Sequence, residues 1–180
     1  MEHDLEELTR AAARGERAAL DRLLEHYLPE LRAFVRLRAG AALRARESSS
    51  DIVQSVCRQV LQEAQRFRHA NEGAFRRWLF TTAMRKIAHR AEYHQALRRD
   101  ARGLQALESH ADDEALATCY RGLASPSRVA AAKEEIERVE AAFDRLDPEE
   151  RDVIVEAHLL GRTRAEIAER LGKSEGAVRV

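Results

Sequence analysis

The residues best suited to chemistry in this sequence are arginines and aromatics interleaved on one stretch, Phe75-Arg76-Arg77-Trp78-Leu79-Phe80-Thr81-Thr82-Ala83. Guanidinium groups can hold phosphates, and aromatic faces can stack on bases or wedge between them. An ordinary amphipathic helix would use the same residues differently, and at helical spacing Trp78 and Leu79 read as core. The surrounding tract is basic. From Arg66 to Asp100, nine basic side chains face only Glu72, Glu92 and Asp100, a net of +6. The first thirty residues carry eight carboxylates against four arginines, a net of −4, so a chain of zero net charge is strongly polarised along its length. A basic patch set off from acidic surroundings is the footprint of a phosphate-binding surface.

A second constellation lies at the C-terminal end, from Thr163 to Val180. A helix-turn-helix needs a small residue where its helices touch, and Ala168 supplies one. It also needs a residue tolerant of positive φ at the turn four positions later, and Gly172 supplies that. Ile167, Leu171 and Val178 then fall on the buried side. Arg164, Lys173, Ser174, Glu175 and Arg179 remain outside, where they can meet phosphates and base edges in a major groove. Only about five residues follow Glu175, so the recognition helix reads as shortened against the roughly ten needed to cross a groove.

Covalent chemistry has no comparable signal. The histidines His3, His26, His69, His89, His94, His110 and His158 are scattered, and none forms HxxxH or pairs with a cysteine at metal-ligand spacing. Phosphate-cradling glycine loops and nucleophile elbows are absent. No cofactor is expected, no metal site is expected, and the chain reads as no enzyme.

Helices must position these residues. Aromatics make up 5% of the chain and charged residues 34%, a balance that favours helices over strands. Leu5, Leu8 and Ala12 share a helix face, which Gly15 can close. Leu20, Leu23, Leu24, Tyr27, Leu31, Phe34 and Val35 mark a second helix with Pro29 inside it, where a kink or restart is predicted. Ser48-Ser49-Ser50-Asp51 offers an N-cap to a helix with one wide apolar face, Ile52, Val53, Val56, Cys57, Val60, Leu61 and Ala64. Phe67 to Gly73 reads as a polar loop, and the arginine–aromatic helix follows.

Periodicity fades between Ala101 and Ser127, where Gly103, Gly122, Ser125 and Pro126 collect. That stretch is expected to be a linker with a short helix near Asp112 to Cys119. Helical spacing resumes with Val129, Ala132, Ile136, Val139 and Phe143. Asp147-Pro148-Glu149-Glu150 carries a capping Asp, Pro at the first position and acids in the first turn. Gly161 stops that helix, and Thr163 with Glu166 forms a capping box for the next. The fold class is therefore all-α: two small helical domains, residues 1–100 and 128–180, joined by a flexible linker over residues 101–127. No run approaches the roughly 18 apolar residues of a membrane span. The acidic start does not read as a secretion signal, and Cys57 and Cys119 read as reduced thiols of a cytoplasmic protein.

The order of Asp51–Val56, Phe75–Ala83, a linker, Asp147–Arg151 and the helix-turn-helix resembles the extracytoplasmic-function class of sigma factors, within the sigma-70 family. The resemblance runs from about Leu5 to Val180. It implies a bacterial factor that binds core RNA polymerase and directs promoter recognition, local DNA melting and transcription initiation. By resemblance the first domain is region 2 and the last is region 4. Asp51, Ile52, Gln54, Ser55 and Arg58 would meet the clamp of the largest polymerase subunit. The −10 element would be met by His69, Asn71, Phe75, Arg76 and Arg77 around a flipped base, with Ala70 and Glu72 beside them. Arg85, Lys86, His89 and Arg90 would follow the non-template strand. The helix-turn-helix would read the −35 element. Met84-Arg85 stands where the family often has Arg-Asn, and His89 where it often has an acid or amide, departures that bear on −10 preference. Members of this class are commonly held by an anti-sigma factor. The alternative is a helix-turn-helix regulator with an N-terminal helical sensory or dimerisation domain, which predicts a ligand pocket or dimer surface in residues 1–100 and no affinity for polymerase.

Overall fold

The computed structural model describes residues 2–68, 71–97 and 132–178. Among them it holds seven α-helices: α1 (Glu2–Ala13), α2 (Arg17–Arg44), α3 (Ser49–Gln62), α4 (Glu72–Leu97), α5 (Ala132–Arg145), α6 (Pro148–His158) and α7 (Arg164–Leu171). No strand occurs among the described residues. The expected linker, with its short helix and Cys119, lies outside the described residues.

Local signals end and begin these helices as their chemistry requires. Gly15 follows α1 at φ 93°, and Gly161 follows α6 at φ 60°. The Ser48 side chain accepts from the Ser50 N–H at the start of α3. Asp147 caps α6 by accepting from the N–H groups of Glu149 and Glu150, while the Glu150 carboxylate accepts from the Asp147 N–H. These bonds satisfy donors that a helix start leaves orphaned.

The second helix departs from expectation. Pro29 lies inside α2 without breaking it, and the non-helical residue is Gly40 (φ 68°, ψ 162°). Proline's fixed φ falls in the helical range and costs the helix one N–H, whereas Gly40 takes a conformation that carries a side chain only under strain. Buried Tyr27 and Leu31 anchor the helix on either side of Pro29.

The core forms where α1, α3 and α4 pack against α2. Leu23, Leu31, Phe34, Ile52, Val56, Phe75, Leu79 and Phe80 are fully buried there. Phe34 meets Phe80 edge-on with centroids 5.0 Å apart. The C-terminal helices join this core. Helices α5 and α6 pack on α2, and Ile136, Phe143, Val155 and Leu159 belong to the same buried cluster. Val153, Ile167, Ala168 and Val178 make a smaller cluster of their own.

Candidate nucleic-acid and polymerase interfaces

Helix α3 presents one face to its neighbours and one to solvent. Asp51, Gln54 and Arg58 are exposed and Ser55 is half-buried, so these four share an accessible face. Ile52 is a correction to the sequence analysis. It is wholly buried and holds α3 against the core instead of facing a partner. The half-buried Cys57 is a free thiol whose pKa burial pushes up.

The arginine–aromatic helix opens a cavity of about 600 Å³. Its walls come from the segment before α4 and from the first four turns of α4: Arg66, Phe67, Asn71, Gly73, Ala74, Arg77, Trp78, Thr81 and Arg85. Phe67 and Trp78 lie stacked in that wall, with centroids 5.3 Å apart and planes 13° from parallel. Exposed Arg66, Arg77 and Arg85 ring it with positive charge. Asn71 Oδ1 accepts from the Ala74 N–H at 2.7 Å, which sets where α4 begins. Phe67 is buried behind Trp78, so the half-buried Trp78 ring, with three guanidinium groups around it, is the aromatic surface that can take an unstacked base and its flanking phosphates.

Several expected DNA contacts are placed differently. Phe75 is wholly buried, with ring contacts to Tyr27, Phe67 and Trp78, so it supports the cavity from behind and cannot reach DNA. Trp78, expected in the core, is half-buried and lines the cavity, while Leu79 is core as expected. Arg76 turns away from the cavity: its guanidinium lies 3.1 Å from Glu30 and donates to the Leu159 carbonyl on the far side of α4. Arg90 pairs with Glu47 at 3.4 Å, and Glu47 also meets His94. Lys86 is half-buried and His89 exposed further along α4, and neither lines the cavity. Glu72 accepts a 2.6 Å bond from the Tyr27 hydroxyl, and burial together with that carboxylate pushes the tyrosine pKa up. His69 and Ala70 lie outside the described residues.

Sequence reasoning missed Arg66, Phe67, Gly73, Ala74 and Thr81 as wall residues. Arg66 and Thr81 stand in the basic tract and the arginine–aromatic stretch, and Phe67 left a signal of its own, an aromatic in an otherwise polar loop.

The C-terminal unit is built as its sequence predicts up to Gly172. That glycine takes φ 63°, and the Lys173 N–H returns to the Ala168 carbonyl at 2.9 Å, which turns the chain after α7. Arg164, Lys173, Ser174 and Glu175 are exposed, and Lys173 pairs with Glu149. Beyond the turn, Ser174 makes no side-chain cap bond and Glu175–Ala177 forms a single 3₁₀ turn. Arg179 lies outside the described residues. Glu156, unremarked in the sequence, is buried and meets Arg162 at 3.3 Å and Arg170 at 2.8 Å, tying α6 to α7.

The Thr163–Glu166 capping box yields a pH prediction. The Thr163 N–H, then its hydroxyl, hold the Glu166 carboxyl below its ordinary value of 4.5. A depressed folded pKa means the stabilisation is present above the unfolded value and is lost as pH falls through the folded one. The melting temperatures of wild type and Glu166→Gln should therefore differ at neutral pH and converge as pH falls from the ordinary value of 4.5 through the depressed folded one. Thr163→Ala should cost about 1 kcal/mol of α7 stability at neutral pH.

Among the described residues no group of His, Cys, Asp and Glu is placed to hold a metal, and no helix is long and apolar enough to cross a membrane. A helical protein with a cationic, aromatic-walled cavity and a C-terminal unit carrying the first helix and glycine turn of a helix-turn-helix belongs to the class of nucleic-acid-binding proteins. Comparison with known proteins narrows the class. The model of sigma-70 region 2 matches residues 23–103, and that of sigma-70, region 4, matches residues 136–180. The ECF RNA polymerase sigma factors SigD of Mycobacterium bovis and of Mycobacterium tuberculosis are each 27% identical over 176 residues, covering 98% of this chain and 77% of theirs. No solved structure matches at a significant level. The chain belongs to the sigma-70 family, in its extracytoplasmic-function class, and is an RNA polymerase sigma factor.

Proposed function

We propose that the exposed face of α3, Asp51, Gln54, Ser55 and Arg58, docks on the clamp of the largest subunit of core RNA polymerase, and that the cavity beside α4 holds a base flipped from the −10 element. The observation that carries this reading is the stacked Phe67–Trp78 wall ringed by Arg66, Arg77 and Arg85. Unstacking a base costs on the order of a few kcal/mol, and a site that binds it once flipped offsets that cost. Duplex DNA therefore opens only where sequence and site agree. No bond is made or broken by the chain, and its chemistry is binding energy.

Arg164, Lys173, Ser174 and Glu175, with Arg179, face the −35 element in this reading. Residues 1–100 form region 2, 101–127 the linker and 128–180 region 4. The factor works in the cytoplasm, and an anti-sigma factor is a further partner.

Titration of labelled full-length chain into bacterial core polymerase tests the reading. Tight binding is expected, weakened at least tenfold by Asp51→Arg, whose reversed charge would face the polymerase, and less by Gln54→Ala. No binding by a chain whose circular dichroism is helical would overturn it.

A further inference from the structure

Glu156 of α6 has its side chain only 2% exposed, and two arginines of region 4 converge on it. Arg162, the residue before the α7 cap, reaches Oε2 through Nη1 at 3.3 Å. Arg170, in the last turn of α7, brings its Nε within 2.8 Å of Oε1 and 2.9 Å of Oε2. One buried carboxylate thus meets two guanidinium groups, and the cluster keeps an excess of positive charge. Neither arginine is spent by the contact. A guanidinium carries five N–H donors on a rigid fork. Among the described residues Arg162 commits only its Nη1 side and Arg170 only its Nε. Their side chains remain 23% and 33% exposed, so the outer edges of both forks meet solvent.

The charged seam between α2 and region 4 shows the opposite pattern. Arg44 there is 13% exposed and divides its donors between Asp144 and the Arg36 carbonyl, and Arg36 is buried against Glu140. A tie between α6 and α7 does not need charges either. Replacing a buried ion pair by apolar residues of similar volume is often neutral or stabilising, because desolvation offsets the Coulomb gain. What Glu156 supplies that a leucine would not is two cations held in place at the ends of α7. In a helix-turn-helix the first helix crosses the DNA backbone while the second enters the groove. Helix α7 is that first helix, and Arg164 and Lys173 are exposed at its two ends beside Arg162 and Arg170.

We propose that Arg162 and Arg170 form a phosphate clamp on the backbone of the promoter duplex, and that Glu156 is its positioning residue. Glu156 holds the inner edge of each fork, so the outer donors are fixed before DNA arrives and little side-chain freedom is lost on binding. The clamp reads no base. It sets the register of region 4 on the duplex, and so deepens the functional reading above, on which it rests.

The salt dependence of binding tests the clamp, because each phosphate neutralised contributes about −0.9 to the slope of log K against log salt. Holoenzyme is formed from bacterial core polymerase and full-length chain. Its affinity for a promoter duplex selected from a random library is read by anisotropy across a range of salt. Arg162→Gln and Arg170→Gln should each weaken binding about fivefold and reduce the slope by about 1, whatever the −35 sequence. Arg170→Lys keeps a point charge and should recover most of the slope. Arg10→Gln, which removes the same charge from α1, should leave it unchanged. Glu156→Gln removes an acid, which by charge alone would tighten DNA binding, and should weaken it several-fold instead. Replacing Glu156, Arg162 and Arg170 together by Leu should keep the melting temperature while reducing the slope by about 2. The single arginine variants leave Glu156 one cation and serve if the triple variant does not fold. Wild-type slopes in folded arginine variants overturn the clamp, and tighter binding by folded Glu156→Gln overturns the positioning role. Failure of the wild-type chain to form holoenzyme is a different result, which overturns the functional reading and the clamp with it.

Discussion

Phe75→Ala is expected to destabilise the N-terminal bundle by about 3–5 kcal/mol, the range for emptying a buried aromatic site. Phe75 is wholly buried and is the hub of a ring cluster, with centroids 5.7 Å from Tyr27, 5.5 Å from Phe67 and 6.1 Å from Trp78. Removing it takes away transfer energy, leaves a void and forfeits edge-to-face contacts worth about 0.5–1.5 kcal/mol each. A domain of this size has a total stability of roughly 5–15 kcal/mol, so the variant should be close to unfolding at physiological temperature. Urea denaturation followed by far-ultraviolet circular dichroism reads the shift. The result also separates two roles for an aromatic on this helix. Loss of stability marks a supporting residue, whereas an unchanged midpoint with weakened DNA binding would make Phe75 a contact residue and refute its placement.

The neighbouring Trp78→Ala should act on function instead. Base–aromatic stacking is worth about 1–3 kcal/mol per base, so promoter opening should fall between roughly fivefold and a hundredfold. Polymerase binding should hold, because the exposed face of α3 contributes no wall to the cavity. Some stability is lost as well, since Trp78 is half-buried against Phe67, and the comparison must be made below the variant's own melting range. Trp78→Phe keeps an aromatic face and should recover most of the opening. Permanganate reactivity of thymines in the opened region, on a promoter selected from a random library, measures the effect. Opening by Trp78→Ala at the wild-type level would remove this ring from the site.

The contrast between these adjacent residues shows how far sequence carried the argument. Phe75, Arg76, Arg77 and Trp78 lie within one turn, and their types announced phosphate and base chemistry. Which of them faces the cavity depends on how α4 rotates against α2 and on where the chain before it runs. Phe67 approaches from outside α4 to stack on Trp78, and no periodicity within α4 encodes that encounter. Ile52 is a similar case. Its position in the Asp51–Val56 segment suggested a partner contact, yet an isoleucine beside Val53 and Val56 gains more from burial in its own bundle. Pro29 and Gly40 make the same point for the backbone. The proline was the stronger local signal, but its φ suits a helix, and the break went to the glycine whose neighbouring N–H finds Asp144 about a hundred residues away.

The sequence by itself determined the helical class, the caps at Ser48, Asp147 and Thr163, the glycine stops, the turn after α7 and the family. Each of these is decided within a few residues, by hydrogen bonds to the nearest orphan N–H, by φ, or by the period of an apolar face. Tertiary structure alone decided the aromatic cavity, the turning of Arg76 away from it, the burial of Phe75 and Ile52, and the charged seam of α2 with region 4. Those depend on pairs of residues distant in the chain, and their partners are chosen by the packing of one helix on another.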